Sequence, residues 1–292
     1  MEKDCIIRRA KPELDDARAL LAVEHESLGD SPYSPCQVVS VLARPEHYAY
    51  LAFVKDEAAG FCSCIQTPLG REGQLEIDML GVVAGHRRRG IGSSLIALGV
   101  RKAVGRGVRS FRAVAAADNV ASQRAFQEIG FTRESAVDMM VYEVRGRTPL
   151  SFLPQGWTWR TFFAGSLRAP PLSQTFEATG PGREVHHLQD ARGNLVAAAE
   201  CLQVQTMAYA GLWVEEFEAP SRRTAEWMAR ALAERAKALD VDEVGYLIPH
   251  QGASETPISL VAAGYENVGE YLVLRGDAAT LASRLGQQAI QG

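Results

Sequence analysis

No stretch of this 292-residue chain approaches the ~20 consecutive apolar residues that a bilayer-spanning helix needs. Its first residues, Met1-Glu2-Lys3-Asp4-Cys5, are charged and hold no apolar signal core, so a cytoplasmic protein without a membrane partner is expected. A basic excess is also missing. With 31 Lys and Arg against 35 Asp and Glu, the net charge of −4 supplies no broad field for nucleic acid, and no nucleic-acid partner is expected. Cysteine is sparse: Cys5, Cys36, Cys62, Cys64 and Cys201 are an odd, scattered set that suits reduced thiols better than a disulfide framework. Cys62 and Cys64 share one face of a predicted strand, but no His or Cys stands at ligand spacing, so no metal is expected. The six histidines, His25, His47, His86, His186, His187 and His250, form no spaced pair with acidic or thiol partners and read as ordinary surface or core residues.

What is present is core-forming material, 47% hydrophobic, in a length that suggests about two domains. The periodicities predict a strand at 6–10, a helix from Leu14 and a short helix over 37–43. Strands at 48–55, 60–66 and 75–83 follow, then a helix over 93–104, a strand at 108–116, a helix over 120–129 and a strand at 136–144. This is a mixed α/β order. Residues 147–174, rich in Pro, Gly and aromatics, place a domain boundary near Arg147. The pattern then repeats: a first strand at Gly156-Trp157-Thr158-Trp159-Arg160, a hairpin at 183–188 and 195–207, and a strand at 212–218. A helix over 222–239, a strand at 243–248, a helix over 256–263 and a strand at 271–275 complete it. The expected domains are 1–146, a linker and start of the second domain at 147–174, and a second copy over 175–292. Trp157, Trp159, Phe162 and Phe163 read as domain-interface core.

One segment carries chemistry. Leu75 to Val83 reads as a strand, Ala84 to Gly90 as a short basic turn, and the following residues as a helix opening on that turn. Gly90 and Gly92 let consecutive backbone N–H groups converge, and the helix start adds positive potential, which makes an anion cradle suited to a diphosphate. The spacing is neither Gly-x4-Gly-Lys-Ser/Thr nor a three-glycine dinucleotide fingerprint, so ATP and NAD are not favoured.

Arg87-Arg88-Arg89-Gly90-Ile91-Gly92 after Leu80-Gly81-Val82 resembles the acetyl-CoA loop of the GNAT N-acetyltransferase superfamily. Asn119-Val120-Ala121-Ser122-Gln123-Arg124-Ala125-Phe126-Gln127-Glu128-Ile129-Gly130-Phe131 is similar to that family's Asn-x-x-Ala-x-x-x-Tyr-x-x-x-Gly-Phe block. The resemblance covers residues 4–146 and implies a sheet whose fourth and fifth strands splay to admit the pantetheine arm. It implies acetyl-CoA as co-substrate, with Leu80 and Val82 as main-chain contacts. The diphosphate would be held by Arg87, Arg88, Arg89, Gly90, Ile91, Gly92 and Ser93, with Asn119 facing the cofactor or capping its helix.

Acetyl transfer to a primary amine needs a base to take its proton, because an alkyl amine of pKa about 10.4 is protonated at neutral pH. Glu76 and Asp78, two apart on one strand, are the candidates, with Glu76 favoured by its spacing before Arg87. The family's general-acid Tyr corresponds to Phe126, which donates no proton, leaving Ser122, Tyr33 or water to replace it. In the second copy the loop position reads Ala219-Pro220-Ser221-Arg222-Arg223-Thr224-Ala225-Glu226, without glycines, and cofactor binding there is expected to be lost. The sequence thus resembles a tandem GNAT pair: an acetyl-CoA-dependent N-acetyltransferase acting on a small-molecule or peptide amine, whose second copy shapes the acceptor cleft or forms a homodimer. The alternative is a non-catalytic acyl-CoA-binding or sensing protein.

Overall fold

The computed structural model describes residues 4–67, 73–146, 153–163, 182–250 and 256–291, with side chains described as far as residue 286. The chain forms two compact units that are not contiguous in sequence. The first comprises residues 1–135 together with 206–208 and 272–292; the second comprises 136–205 and 209–271.

In the first unit, β1 (Cys5–Arg9), α1 (Leu14–Ser27), α2 (Pro35–Leu42), β2 (His47–Val54), β3 (Glu57–Thr67), β4 (Gln74–Val82), α3 (Ile91–Val104), β5 (Ser110–Ala116) and α4 (Val120–Ile129) follow one another. The sheet runs β1-β2-β3-β4-β5, antiparallel up to β4 and parallel between β4 and β5. Its next strand comes from residues 272–277 of β12 (Glu266–Asp277), and α7 (Ala278–Gln291) follows and packs on α3 and α4. Local chemistry sets the boundaries. Ser34 and Gln37 form a capping box with Pro35 in the first turn of α2. Lys55 and Asp56, both at positive φ, make the tight β2–β3 turn, so β3 starts at Glu57, three residues before the expected strand at 60–66. Arg8 grips Asp16 through two contacts of 2.6 Å, fastening β1 to α1.

One face of this sheet buries Ala17, Leu20 and Val23 of α1 and Val38 and Val41 of α2 against Ala49, Leu51 and Phe61. Met207, one of the three residues from the middle of the sequence, joins that core and is almost completely buried.

The second unit takes β6 (Thr132–Glu143) from residue 136 onward, then β7 (Thr158–Phe163), β8 (Arg183–Gln189), β9 (Leu195–Gln205), β10 (Ala210–Glu218), α5 (Arg222–Ala238), β11 (Glu243–Pro249), α6 (Thr256–Ala262) and residues 266–271 of β12. Its order is β7-β8-β9-β10-β11-β6, again with a parallel pair, β10–β11, next to the borrowed strand. Met228, Ala229, Leu232, Ala233 and Ala236 of α5 pack on Leu188, Ala197, Ala199, Cys201, Leu212 and Val244. Trp157 and Trp159 lie against this unit's own core, whereas Phe163 is 51% exposed. Most of the expected linker, including Pro149, Pro170 and Pro171, lies outside the described residues.

The mixed α/β class and the order of elements agree with the sequence reading; α7 is an addition to it. β6 begins at Thr132 and β12 at Glu266, earlier than their periodicity indicated, because both carry polar residues along exposed or half-exposed stretches.

Candidate functional site

The site is built where β4 ends. β4 pairs with β5 from Gln74–Ser110 to Ile77–Ala113, and there the register stops. On its other side, β4 shifts register against β3, with Ile77 opposite Cys64 and Met79 opposite Ser63, so Asp78 is the extra residue of a β-bulge. A bulge on one edge and a parting strand on the other free backbone groups of β4 beyond Ile77.

After Val82, a 3-10 turn (Ala84–His86) leads to Arg88 at φ 61° and Gly90 at φ 78°, and α3 opens at Ile91. The first helical N–H groups, those of Ile91, Gly92 and Ser93, have no partner inside the helix. A Cβ placed on Gly92 would meet only Leu80 Cδ2 and Val82 Cγ2, both at 3.8 Å, so the fold itself does not demand glycine there. The bare Gly92 leaves the cradle open, and its floor is the side chains of Leu80 and Val82. Arg87, Arg88 and Arg89 are exposed, and Arg87 Nε donates to the Val82 carbonyl at 2.9 Å, clasping the turn to the strand. Ser93 Oγ donates to Glu128 of α4 at 2.6 Å, and Asn119 accepts from the Ser122 N–H at 3.1 Å as the α4 cap. Phe126 is buried edge-on to Phe131, with ring centroids 5.2 Å apart.

The two carboxylates have different surroundings. Glu76 is held by Arg112 Nε of β5 at 2.5 Å and by Gln74 Nε2 at 2.5 Å. Asp78 has neither oxygen exposed nor in a hydrogen bond of ordinary geometry. Burial pushes its pKa up to about 6, with a smaller push from Glu76, against the pull of the Ser63 hydroxyl and nearby backbone N–H groups. On the strand beside it, Ser63 Oγ lies 3.0 Å from His47 Nε2, and burial with the nearby cations Arg9 and Arg44 drives His47 down to about 4. No local pattern signals this His47–Ser63 pair, because the two meet across strands rather than along one.

Residues 14–131 match the Acetyltransferase (GNAT) family. That stretch, which carries the β4 bulge and the cradle, is a GNAT-family domain. Three solved structures share its fold over nearly its whole length. A tandem GNAT protein from the clavulanic acid biosynthesis pathway has TM-score 0.56 and 16% identity, covering 94% of this chain and 98% of its own. A GCN5-related N-acetyltransferase from Sphaerobacter thermophilus has TM-score 0.61 and 18% identity, with 95% and 97% covered. A putative acetyltransferase from Pyrococcus horikoshii has TM-score 0.53 and 17% identity, with 95% and 90% covered. Identities this low speak for the fold alone. No curated protein matches.

In the second unit the connection from β10 to α5 has only three residues, 219–221, against eight between β4 and α3. Ser221 accepts from Thr224 N–H and Thr224 Oγ1 accepts from Ser221 N–H, so a capping box closes the start of α5 and takes up one of its first-turn donors. Glu226 lies one turn further along and grips Arg230 at 2.5 Å. No helix among the described residues is long and apolar enough to cross a membrane. The histidines are less ordinary than their sequence spacing suggested. His186 lies 3.2 Å from Glu184, which Arg235 grips through two nitrogens at 2.9 and 2.6 Å, and His250 lies 3.2 Å from Asp138.

Proposed function

We propose that the protein is an acetyl-CoA-dependent N-acetyltransferase whose first copy carries the site and whose acceptor is a primary amine of a small molecule or peptide. The observation that carries this reading is the coincidence, on one strand, of the open glycine cradle, the parted β4–β5 edge and a buried carboxylate at the bulge. Acetyl-CoA would supply an acetyl group activated as a thioester. The Ile91, Gly92 and Ser93 N–H groups and the arginines Arg87 to Arg89 would hold its diphosphate, while Leu80 and Val82 would line its arm.

Asp78 takes the proton in this reading. Glu76 favoured itself by spacing, but its pairing with Arg112 ties its charge down and suits it to positioning the strand. A carboxylate near pKa 6 is ionised at neutral pH and is still basic enough to draw a proton from an amine. Phe126 lacks a hydroxyl, so the departing thiolate is protonated by water or by Tyr33 or Ser122. The domain reading, a functional copy over 1–146 and a degenerate one after the 147–174 linker, belongs to the same proposal, as does a dimerising or cleft-shaping role for the second copy.

Calorimetric titration with acetyl-CoA, followed by a screen of pooled primary amines for release of free CoA thiol, tests the reading. Binding with amine-dependent thiol release is expected. Binding without release from any amine favours an acyl-CoA sensor, for which Phe126 is the specific observation, and absence of binding overturns both.

A further inference from the structure

The buried polar groups beneath the β4 bulge form a chain across three strands. His47 on β2 is 1% exposed and Ser63 on β3 is fully buried, and they meet at 3.0 Å through Nε2 and Oγ. His47 Nδ1 is also shielded and has no hydrogen-bond partner. An orphaned buried N–H is costlier than an orphaned lone pair, so the proton of the neutral ring sits on Nε2 and is donated to Ser63 Oγ. The Ser63 hydroxyl hydrogen is thereby turned away from His47. It lies opposite Met79, beside the bulge that carries Asp78, where it is free to turn toward a carboxylate that has no hydrogen-bond partner of ordinary geometry and whose pKa it lowers.

In the second copy the register places different residues at the same three positions. β10 shifts against β9 with Val214 opposite Cys201 and Glu216 opposite Glu200, which makes Glu215 the bulge residue. Glu200 therefore corresponds to Ser63. Arg183 lies opposite Leu202, two residues past Glu200, as His47 lies opposite Ile65, two past Ser63. Arg183 and Glu200 are in contact as His47 and Ser63 are, but as an ion pair. The same lattice of positions thus holds a neutral pair beneath the open cradle and a charged pair beneath the closed one.

We propose that His47 and Ser63 are positioning residues for the proton acceptor: a neutral relay, His47 Nε2–H to Ser63 Oγ and Ser63 O–H toward Asp78, that orients this carboxylate and sets where it titrates. The relay deepens the acetyltransfer reading and relies on it only for the kinetic readout. The other ionisable groups packed around it are Glu76 with its Arg112 partner, Arg9 and Arg44 near His47, the buried thiols Cys62 and Cys64, and Arg106 acting on Cys64.

Two readouts test it on the full-length protein. The Asp78 carboxyl is titrated by carbon NMR in aspartate-labelled protein, its signal assigned by its loss in Asp78→Asn. In Ser63→Ala the titration is expected to move upward by about one pH unit, the worth of a lost hydrogen bond to a charged group. His47→Phe should move it the same way, because Ser63 loses the donor that orients it, and His47→Gln, whose amide can donate in place of Nε2–H, should restore it. The acid limb of kcat/KM against pH should follow the carboxyl, with acetyl-CoA affinity unchanged. Titrations of folded Ser63→Ala and His47→Phe that coincide with the parent overturn the relay. A displaced carboxyl in a protein that acetylates no amine supports the relay and overturns the proposed function.

Discussion

At the scale of single residues, Asp78 as the proposed proton acceptor would set activity against stability. Its carboxylate has an ordinary value of 3.8 and is raised to about 6 in the folded chain. The folded state therefore binds the proton more tightly than the unfolded one. Its contribution is most favourable below about pH 4 and is lost as pH rises through 6. Asp78→Asn should stabilise the protein at pH 8 by roughly 2–3 kcal/mol and leave it unchanged near pH 3.5, while thiol release with an amine falls by roughly 10²- to 10⁴-fold. Urea titrations at the two pH values and a turnover assay check both halves; equal stabilisation at both pH values would assign the effect to packing. Glu184 has the opposite sign. Burial acts to raise it, but bonds from Arg235 and His186 outweigh that and hold it at about 2. Its contribution is present above its ordinary 4.5 and lost as pH falls toward 2. Glu184→Gln should lower the stability of the second unit at pH 7 and converge with the parent in strong acid. These residues mark the limits of a sequence reading. The carboxylates of β4 were legible because they lie two apart on one strand. His47 with Ser63, and Arg235 with Glu184, were not, because cross-strand register and a helix fifty residues away bring them together; Glu184 and His186, two apart on β8, were as open to reading as the β4 pair.

At the scale of elements, glycine marks two different demands near the loop. Gly81 is required by packing: a Cβ there would lie 2.4 Å from Ser27 Oγ and 2.6 Å from the Phe61 ring. Gly81→Ala should cost about 1–3 kcal/mol in thermal or urea unfolding. Gly92 has room, so Gly92→Glu should leave the melting temperature nearly unchanged and abolish acetyl-CoA binding by filling the cradle and adding like charge. A calorimetric titration that still shows the parent affinity in the folded variant would remove the cradle from the site. The strand, basic turn and helix of this element could be read directly, since their glycines and arginines are local signals. The lost cradle of the second copy was legible as missing glycines, but its cause was not. The deciding features are a connection of three residues and the mutual cap of Ser221 and Thr224, which depend on where β10 ends.

At the scale of the whole molecule, each unit is closed by a strand that the chain supplies from elsewhere: 136–143 of β6 beside β11, and 272–277 of β12 beside β5. In the first unit, Arg275 donates to Glu134 at 2.8 Å and also contacts Gln74. The Ala278 N–H bonds the Arg109 carbonyl at 3.0 Å, and Leu281 packs on Gly130 at the end of α4. A chain stopped after Glu270 should lose cooperative unfolding of the first unit and its acetyl-CoA binding, although every residue of the cradle remains. Circular dichroism melts and calorimetry check this; an intact melt and intact binding would show that β12 and α7 are dispensable. No local pattern could reveal the exchange, because β6 and β12 each read as an ordinary closing strand of its own copy.

The same exchange sets a clock for synthesis. Residues 1–135 leave the ribosome with the β5 edge bare, and the strand that covers it is translated 137 residues later. At ordinary elongation rates the nascent first unit therefore waits on the order of ten seconds with an open sheet edge. Its maturation is timed by the synthesis of the second unit rather than by its own sequence.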